Sequence, residues 1–126
     1  MSEDPQLSAI RQIALTVSDV DAAVKFYRDI LGLTFLFSAG PDLAFLDAGG
    51  TRLMLSTPQG AGETGKNSIL YFAVSDIASV QAALVERGAT EERAPQLAAR
   101  MPDHELWTGF LRDPDGNLVG LMEEKR

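Results

Sequence analysis

Apolar and polar positions along this chain form one pattern written twice. Residues 12–33, QIALTVSDVDAAVKFYRDILGL, pass from an apolar strand through Val17, Ser18 and Asp19 into a segment with helical spacing. Residues 69–89, ILYFAVSDIASVQAALVERGA, do the same through Val74, Ser75 and Asp76, 57 positions later. In the first copy the strand spans 12–17, and Ser18 or Asp19 can cap the helix by accepting from its free first-turn amides. Val20, Ala23, Val24, Tyr27, Ile30 and Leu31 then recur at three- and four-residue intervals, which makes one apolar stripe that Gly32 can end. In the second copy the stripe is Ile77, Val80 and Leu84, closed by Gly88. Phe26 and Tyr27 read as core packing rather than as a catalytic pair.

Three short strand patterns follow each helix. They lie at about 34–38, 43–48 and 51–57 in the first copy, and at 94–100, 105–112 and 117–123 in the second. The turn Asp113, Pro114, Asp115, Gly116, Asn117 is a strong signal, because proline presets φ and glycine or asparagine accepts the left-handed conformation. Each copy is therefore β-α-β-β-β. Module one covers about 8–57 and module two about 68–124, joined by a glycine-rich polar linker at about 58–67. At 126 residues the two modules are expected to share one core as a single domain spanning 1–126.

Strand alternation places Gln12, Ala14 and Thr16 on one face, and Ile13, Leu15 and Val17 on the other. In the second copy Ile69, Tyr71 and Ala73 oppose Leu70, Phe72 and Val74. The second set of each pair is expected to pack under the helices.

Composition narrows the chemistry. Cysteine is absent, which excludes disulfides, thiolate metal sites and cysteine nucleophiles, and suits a reducing cytoplasm. The first residues lack the basic and apolar runs of a signal peptide, and no apolar run approaches membrane-spanning length. A cytoplasmic protein without membrane contact is the expectation. A net charge of −7 with scattered basic residues argues against nucleic acid as a partner. The glycines between 60 and 65 lack the strand-to-helix setting of a phosphate loop.

The segments ALTVSDVDAAVKFYRDILGL, DAGGTRLML and FLRDPDGNLVGLME resemble the vicinal oxygen chelate superfamily of glyoxalases, bleomycin-resistance proteins and extradiol dioxygenases. That resemblance implies an α+β fold in which two βαβββ modules form an eight-stranded open cup, often completed in a homodimer. Metalloenzymes of the superfamily carry His and Glu ligands on the first and fourth strands of each module. The matching blocks place those positions at Gln12, Met54, Ile69 and Gly120. Ile69 and Gly120 offer no donor, Met54 only a soft thioether and Gln12 only a neutral amide oxygen, too weak a set for a divalent metal. No metal and no other cofactor is expected, and neither glyoxalase I activity nor extradiol dioxygenation.

The cup lining implied by the resemblance, with Arg52, Tyr71 and Met122 beside those four positions, is mostly apolar with a few polar groups, as in a small-molecule pocket. A filled cup inside a dimer interface is the competing reading. Trp107 either stacks on a flat ligand there or covers the end of the core. His104 is the only histidine and lies in the loop before the seventh strand, flanked by Asp103 and Glu105. It is either a general acid or base working with Glu105 or Asp103, or part of a solvated hairpin tip. The favoured expectation is a metal-free protein, resembling bleomycin-resistance proteins, that binds a small aromatic or amphipathic molecule. The alternative is a metal-independent isomerase, epimerase or lyase using His104.

Overall fold

The computed structural model describes residues 5–58 and 63–126, so part of the linker, 59–62, lies outside the described residues. The expected repeat is present. β1 (Gln12–Thr16), α1 (Val20–Val24) running on into a π-helical turn (Lys25–Ile30), β2 (Thr34–Ser38), β3 (Leu43–Ala48) and β4 (Thr51–Ser56) form module one. β5 (Leu70–Ala73), α2 (Ile77–Glu86), β6 (Thr90–Arg100), β7 (Glu105–Arg112) and β8 (Leu118–Lys125) form module two. Each module folds as an open four-stranded mixed sheet, in the orders β1-β4-β3-β2 and β5-β8-β7-β6. The first strand of each module runs parallel to the last, and the remaining pairs are antiparallel. The protein is thus α+β, with two βαβββ modules.

One face of each sheet packs on helix and the other is free of it. Leu15, Val17, Leu53 and Leu55 of the first sheet join Leu111, Val119 and Leu121 of the second in a single apolar cluster with Val20, Ala23, Phe26, Tyr27, Ile77 and Leu84 of the helices. The expected alternation in β1 and β5 holds, since Ile13, Leu15, Val17, Leu70, Phe72 and Val74 all belong to that cluster or pack against it. Among the described residues no helix is long and apolar enough to cross a membrane.

Both helices depart from the regular stripes. In the first, the Leu31 amide bonds the Phe26 carbonyl five residues back, at 3.0 Å. The adjacent Phe26 and Tyr27 on this turn are both buried. Their rings meet edge to face, with centroids 5.0 Å apart. In α2 the buried line is Ile77, Gln81 and Leu84, with Val80 only partly covered. A glutamine therefore occupies a core position. Asp19 and Asp76 supply the N-caps, accepting from the Ala22 and Ser79 amides at 3.2 and 3.3 Å.

β6 is longer than its pattern suggested, starting at Thr90 instead of 94. The segment Glu91, Glu92, Arg93 has no apolar alternation. It is a strand because it ladders, through register shifts, onto Leu111 and Phe110 of β7.

Polar bonds join the modules at one end. The Asn67 side chain, inside the sequence-defined linker, accepts from the Thr16 amide at 3.1 Å and donates to the Thr16 carbonyl at 3.1 Å. It thereby acts as a strand partner for the open edge of β1, and it also donates to Asn117 Oδ1 at 2.9 Å. The linker is thus less passive than its composition implies. The Ser18 amide donates to Asp115 at 3.1 Å, and the cap of α1 is the Asp19 carboxylate. Tyr27 Oη donates to Asp113 Oδ2 at 2.8 Å, from one module into the turn of the other.

Candidate functional site

The helix-free faces carry most of the side chains singled out above. On the first sheet these are Gln12, Ala14 and Thr16 of β1 and Arg52, Met54 and Ser56 of β4, aligned by the pairs Gln12 with Arg52 and Ala14 with Met54. Phe45 stands opposite Met54, and Phe37 opposite Phe45, so the same face continues onto β3 and β2. On the second sheet Tyr71 stands opposite Gly120, Gly120 opposite Phe110, and Ala73 opposite Met122. Ile69 lies just before β5. A cleft of about 270 Å³ runs between the sheets, lined by Ile10, Thr51 and Arg52 from module one and Ile69 to Phe72 from module two.

Two of the four positions aligned with metal ligands touch each other. Gln12 Nε2 lies 3.7 Å from Met54 Sδ, as their shared face requires. The chemistry of the set does not fit a divalent cation. The single oxygen donor, Gln12 Oε1, accepts from Arg52 Nε at 2.7 Å, so a guanidinium already occupies it and adds positive charge where a cation would sit. Gly120 is covered as well: a Cβ there would come within 2.7 Å of Tyr71 Cδ1 and 2.9 Å of Cε1. The Tyr71 ring lies on the backbone where a ligating side chain would project, and it meets Phe110 edge to face with centroids 5.7 Å apart. No group of three or more His, Cys, Asp or Glu able to hold a metal occurs among the described residues.

His104 is elsewhere. It ends the turn between β6 and β7, where the Met101 amide bonds its carbonyl at 2.8 Å. Phe110, the partner of Gly120, lies six steps further along the chain, which at about 3.3 Å per step is roughly 20 Å. Its Nδ1 is 2.7 Å from Asp103 Oδ1, and its Nε2 is 3.6 Å from Glu124 Oε1. The imidazole beside it holds the Asp103 carboxyl below the usual carboxylate range. Glu105, the other expected partner, is engaged by Arg100 at 2.7 Å and by Trp107 Nε1 at 3.1 Å. The histidine's carboxylate neighbours are therefore Asp103 and Glu124, and Glu105 is not one of them.

Trp107 does not face the cup. It packs against the shared core on the same face of β7 as Gly109 and Leu111, with the Lys125 ammonium 4.4 Å from its ring centre. Strand alternation decides this, because Phe110 and Thr108 take the opposite face. Of the two readings left open for Trp107, covering the end of the core is the one the fold selects.

Beyond Tyr71, the aromatic lining was missed in the sequence. Phe37 and Phe45 stack with centroids 4.6 Å apart, and Arg52 lies over Phe45 at 5.0 Å. In module two Arg93 lies over Phe110 at 4.8 Å. The alternation of β3 and β7 could have placed Phe45 and Phe110 on these faces. Arg93 depended on the extra length of β6.

Comparison with known proteins agrees with this architecture. An uncharacterized protein, YraH, of Bacillus subtilis is 29% identical over 128 residues, covering 89% of this chain and 95% of its own. A crystal structure of lactoylglutathione lyase from Agrobacterium tumefaciens superposes with a TM-score of 0.77 at 27% identity, over 94% of this chain and 96% of that one. TnmS3, an antibiotic binding protein from Streptomyces sp. CB03234, superposes with a TM-score of 0.79 at 23% identity, over 97% of this chain and all of the other. The model of the Glyoxalase/Bleomycin resistance protein/Dioxygenase superfamily matches residues 9–121. With two βαβββ modules, open sheets and a match along nearly its whole length, the chain belongs to that superfamily.

Proposed function

We propose that this chain binds a small aromatic or amphipathic molecule on its helix-free faces without using a metal. The observation that carries the reading is the Tyr71 ring lying over Gly120. It turns a position aligned with a metal ligand into an aromatic platform. An exposed ring on an apolar floor stacks on flat ligands, and the few polar groups around it, Gln12 and Arg52 among them, can orient them. The fold shared with an antibiotic binding protein is consistent with this use. The alternative of acid–base catalysis by His104 has less support, because that ring is about 20 Å from the platform along β7.

The test is thermal unfolding against a chemically broad set of planar compounds. A ligand at a hundredfold excess over its Kd stabilises by about 2.7 kcal/mol, a rise of roughly 10 °C for a domain of this size. The Gly120→Ala variant is expected to keep its fold, because the half-exposed Tyr71 can swing aside, yet to bind about ten-fold or more weaker with the platform displaced. An absence of any thermal shift across the set removes the reading.

We also propose that the binding unit is a homodimer. Leu36 and Phe37 on the edge strand β2, together with Ile69 and Tyr71, stay between 40% and 49% exposed in the single chain. Apolar side chains on a free strand edge favour a partner surface. Sedimentation is expected to give twice the 13.6 kDa chain mass, with Phe37→Glu shifting the protein to monomer. A wild-type monomer at micromolar concentration contradicts this assembly.

A further inference from the structure

We infer that the bound molecule is an aromatic anion, carrying a carboxylate or sulfonate, held by Arg52 and Arg93. This rests on the small-molecule reading above and narrows it to one ligand class.

The two modules present the same device. Arg52 lies over Phe45 at 5.0 Å and Arg93 over Phe110 at 4.8 Å, each on the helix-free face of its sheet. Arg52 and Ile69 line the cleft between the sheets, and Ile69, Arg93 and Phe110 line the adjoining hollow of about 300 Å³. Ile69 is thus the shared wall between two neighbouring spaces: the first holds the Arg52 guanidinium, and the second holds that of Arg93 beside the Arg112–Glu92 ion pair.

Ring contact and charge together set these arginines apart. The chain has eighteen acidic residues against eleven basic ones. Arg28, Arg100, Arg112 and Arg126 each have a carboxylate within 4.0 Å. Among the described residues Arg11, Arg52, Arg87 and Arg93 have none, and of these four only Arg52 and Arg93 lie over an aromatic ring. The nearest candidates are engaged otherwise. Asp47, opposite Arg52 on β3, accepts from the Gly50 amide at 3.1 Å, and Glu92, beside Arg93, is taken by Arg112 at 2.8 Å.

A guanidinium laid on a phenyl ring and lacking a carboxylate keeps its outward N–H groups for a ligand. Its fork matches a carboxylate or sulfonate, and the desolvated ring face beneath it restricts its orientation. Phe45, Tyr71 and Phe110 supply the apolar surface for the rest of the molecule. Both guanidiniums are solvent-exposed, so a neutral ligand covering them would strip their water without supplying a counter-charge, which favours an anion.

The experiment compares two fluorescent probes of one shape, 1-anilinonaphthalene-8-sulfonate and the uncharged N-phenyl-1-naphthylamine, titrated into the full chain at low salt. The sulfonate is expected to bind at one site per chain on the order of ten-fold tighter for each arginine engaged, with the advantage shrinking as salt rises. In Arg52→Gln/Arg93→Gln the ratio of the two affinities falls toward one. Arg52→Lys, which keeps the charge and loses the fork, gives an intermediate ratio, and Arg28→Gln leaves it unchanged. Equal affinities in the wild type, or a double variant with an unaltered ratio, overturn the anion preference and leave the small-molecule reading standing. If neither probe binds at a stoichiometric site, both fall together.

Discussion

Replacing Asp113 with alanine is expected to destabilise the protein by about 4 kcal/mol, a large share of the roughly 5–15 kcal/mol by which domains of this kind are stable. The carboxylate is buried and collects four donors. These are the amides of Asp115 and Asn117 at 2.9 and 2.8 Å, Asn117 Nδ2 at 2.9 Å and Tyr27 Oη at 2.8 Å. Burial, reinforced by the Asp113 charge, pushes the Tyr27 phenol far above its ordinary value, so it remains a proton donor across the accessible pH range. Removing the carboxylate leaves that hydroxyl and the Asn117 amide without an acceptor, each costing about 1–3 kcal/mol. Tyr27→Phe removes a single donor and is expected to cost only about 1 kcal/mol. Urea unfolding of both variants measures the contrast. A loss below about 1 kcal/mol for Asp113→Ala would falsify the claim that this carboxylate holds the modules together.

The second large effect is expected at Gly109 in β7. A Cβ at this position would collide with the amide oxygen of Gln81 and lie 2.9 Å from its Cδ. Gln81 has no room to retreat, since it is 1% exposed and its Nε2 donates to Glu91 Oε1 and to the Arg93 carbonyl, both at 2.9 Å. Gly109→Ala therefore requires either a shift of α2 away from the sheet or the loss of both bonds, at about 3 kcal/mol. Gln81 Oε1 is itself buried without a hydrogen-bond partner, so it already sits in a polar deficit. Gly109→Ala combined with Gln81→Ala is expected to be more stable than the sum of the two single losses, because the smaller side chain vacates the space. Strict additivity of the two losses would show that they do not meet.

Both effects bear on the binding face, although neither residue is on it. Gln81 bonds the Arg93 carbonyl in the bulged part of β6, which is where the guanidinium over Phe110 originates. The Asp113 network ties β1 to the turn before β8, the two strands that carry Gln12 and Gly120. A weakened junction is thus expected to loosen the cleft between the sheets along with the fold.

The repeat itself was legible in the residues. Val17, Ser18, Asp19 and Val74, Ser75, Asp76 mark a strand-to-helix step whose chemistry is local, an extended apolar run followed by a capping aspartate. The turn at 113–117 was equally plain, and Gly116 adopts the positive φ of 83° that the motif requires. The four positions aligned with metal ligands came from the family resemblance, whereas alternation in β1 and β5 identified which side chains avoid the helices. The step, the turn and the alternation depend on neighbours within a few residues, so pattern alone determines them.

What the residues alone left open depends on distant partners. The charged start of β6 becomes a strand only against β7, and Gln81 becomes a core residue only because Gly109 lets its amide approach. Trp107 and His104 lie in one short stretch, but the strand between them turns the first onto the core while the second stays at the far end of the sheet. The covering of Gly120 by Tyr71 required two strands 49 positions apart to be set in register. A side chain's direction follows from the period of its own strand, whereas what it meets there is decided by which strand lies beside it. That neighbour is fixed by burial shared across the whole fold, and no local pattern encodes it.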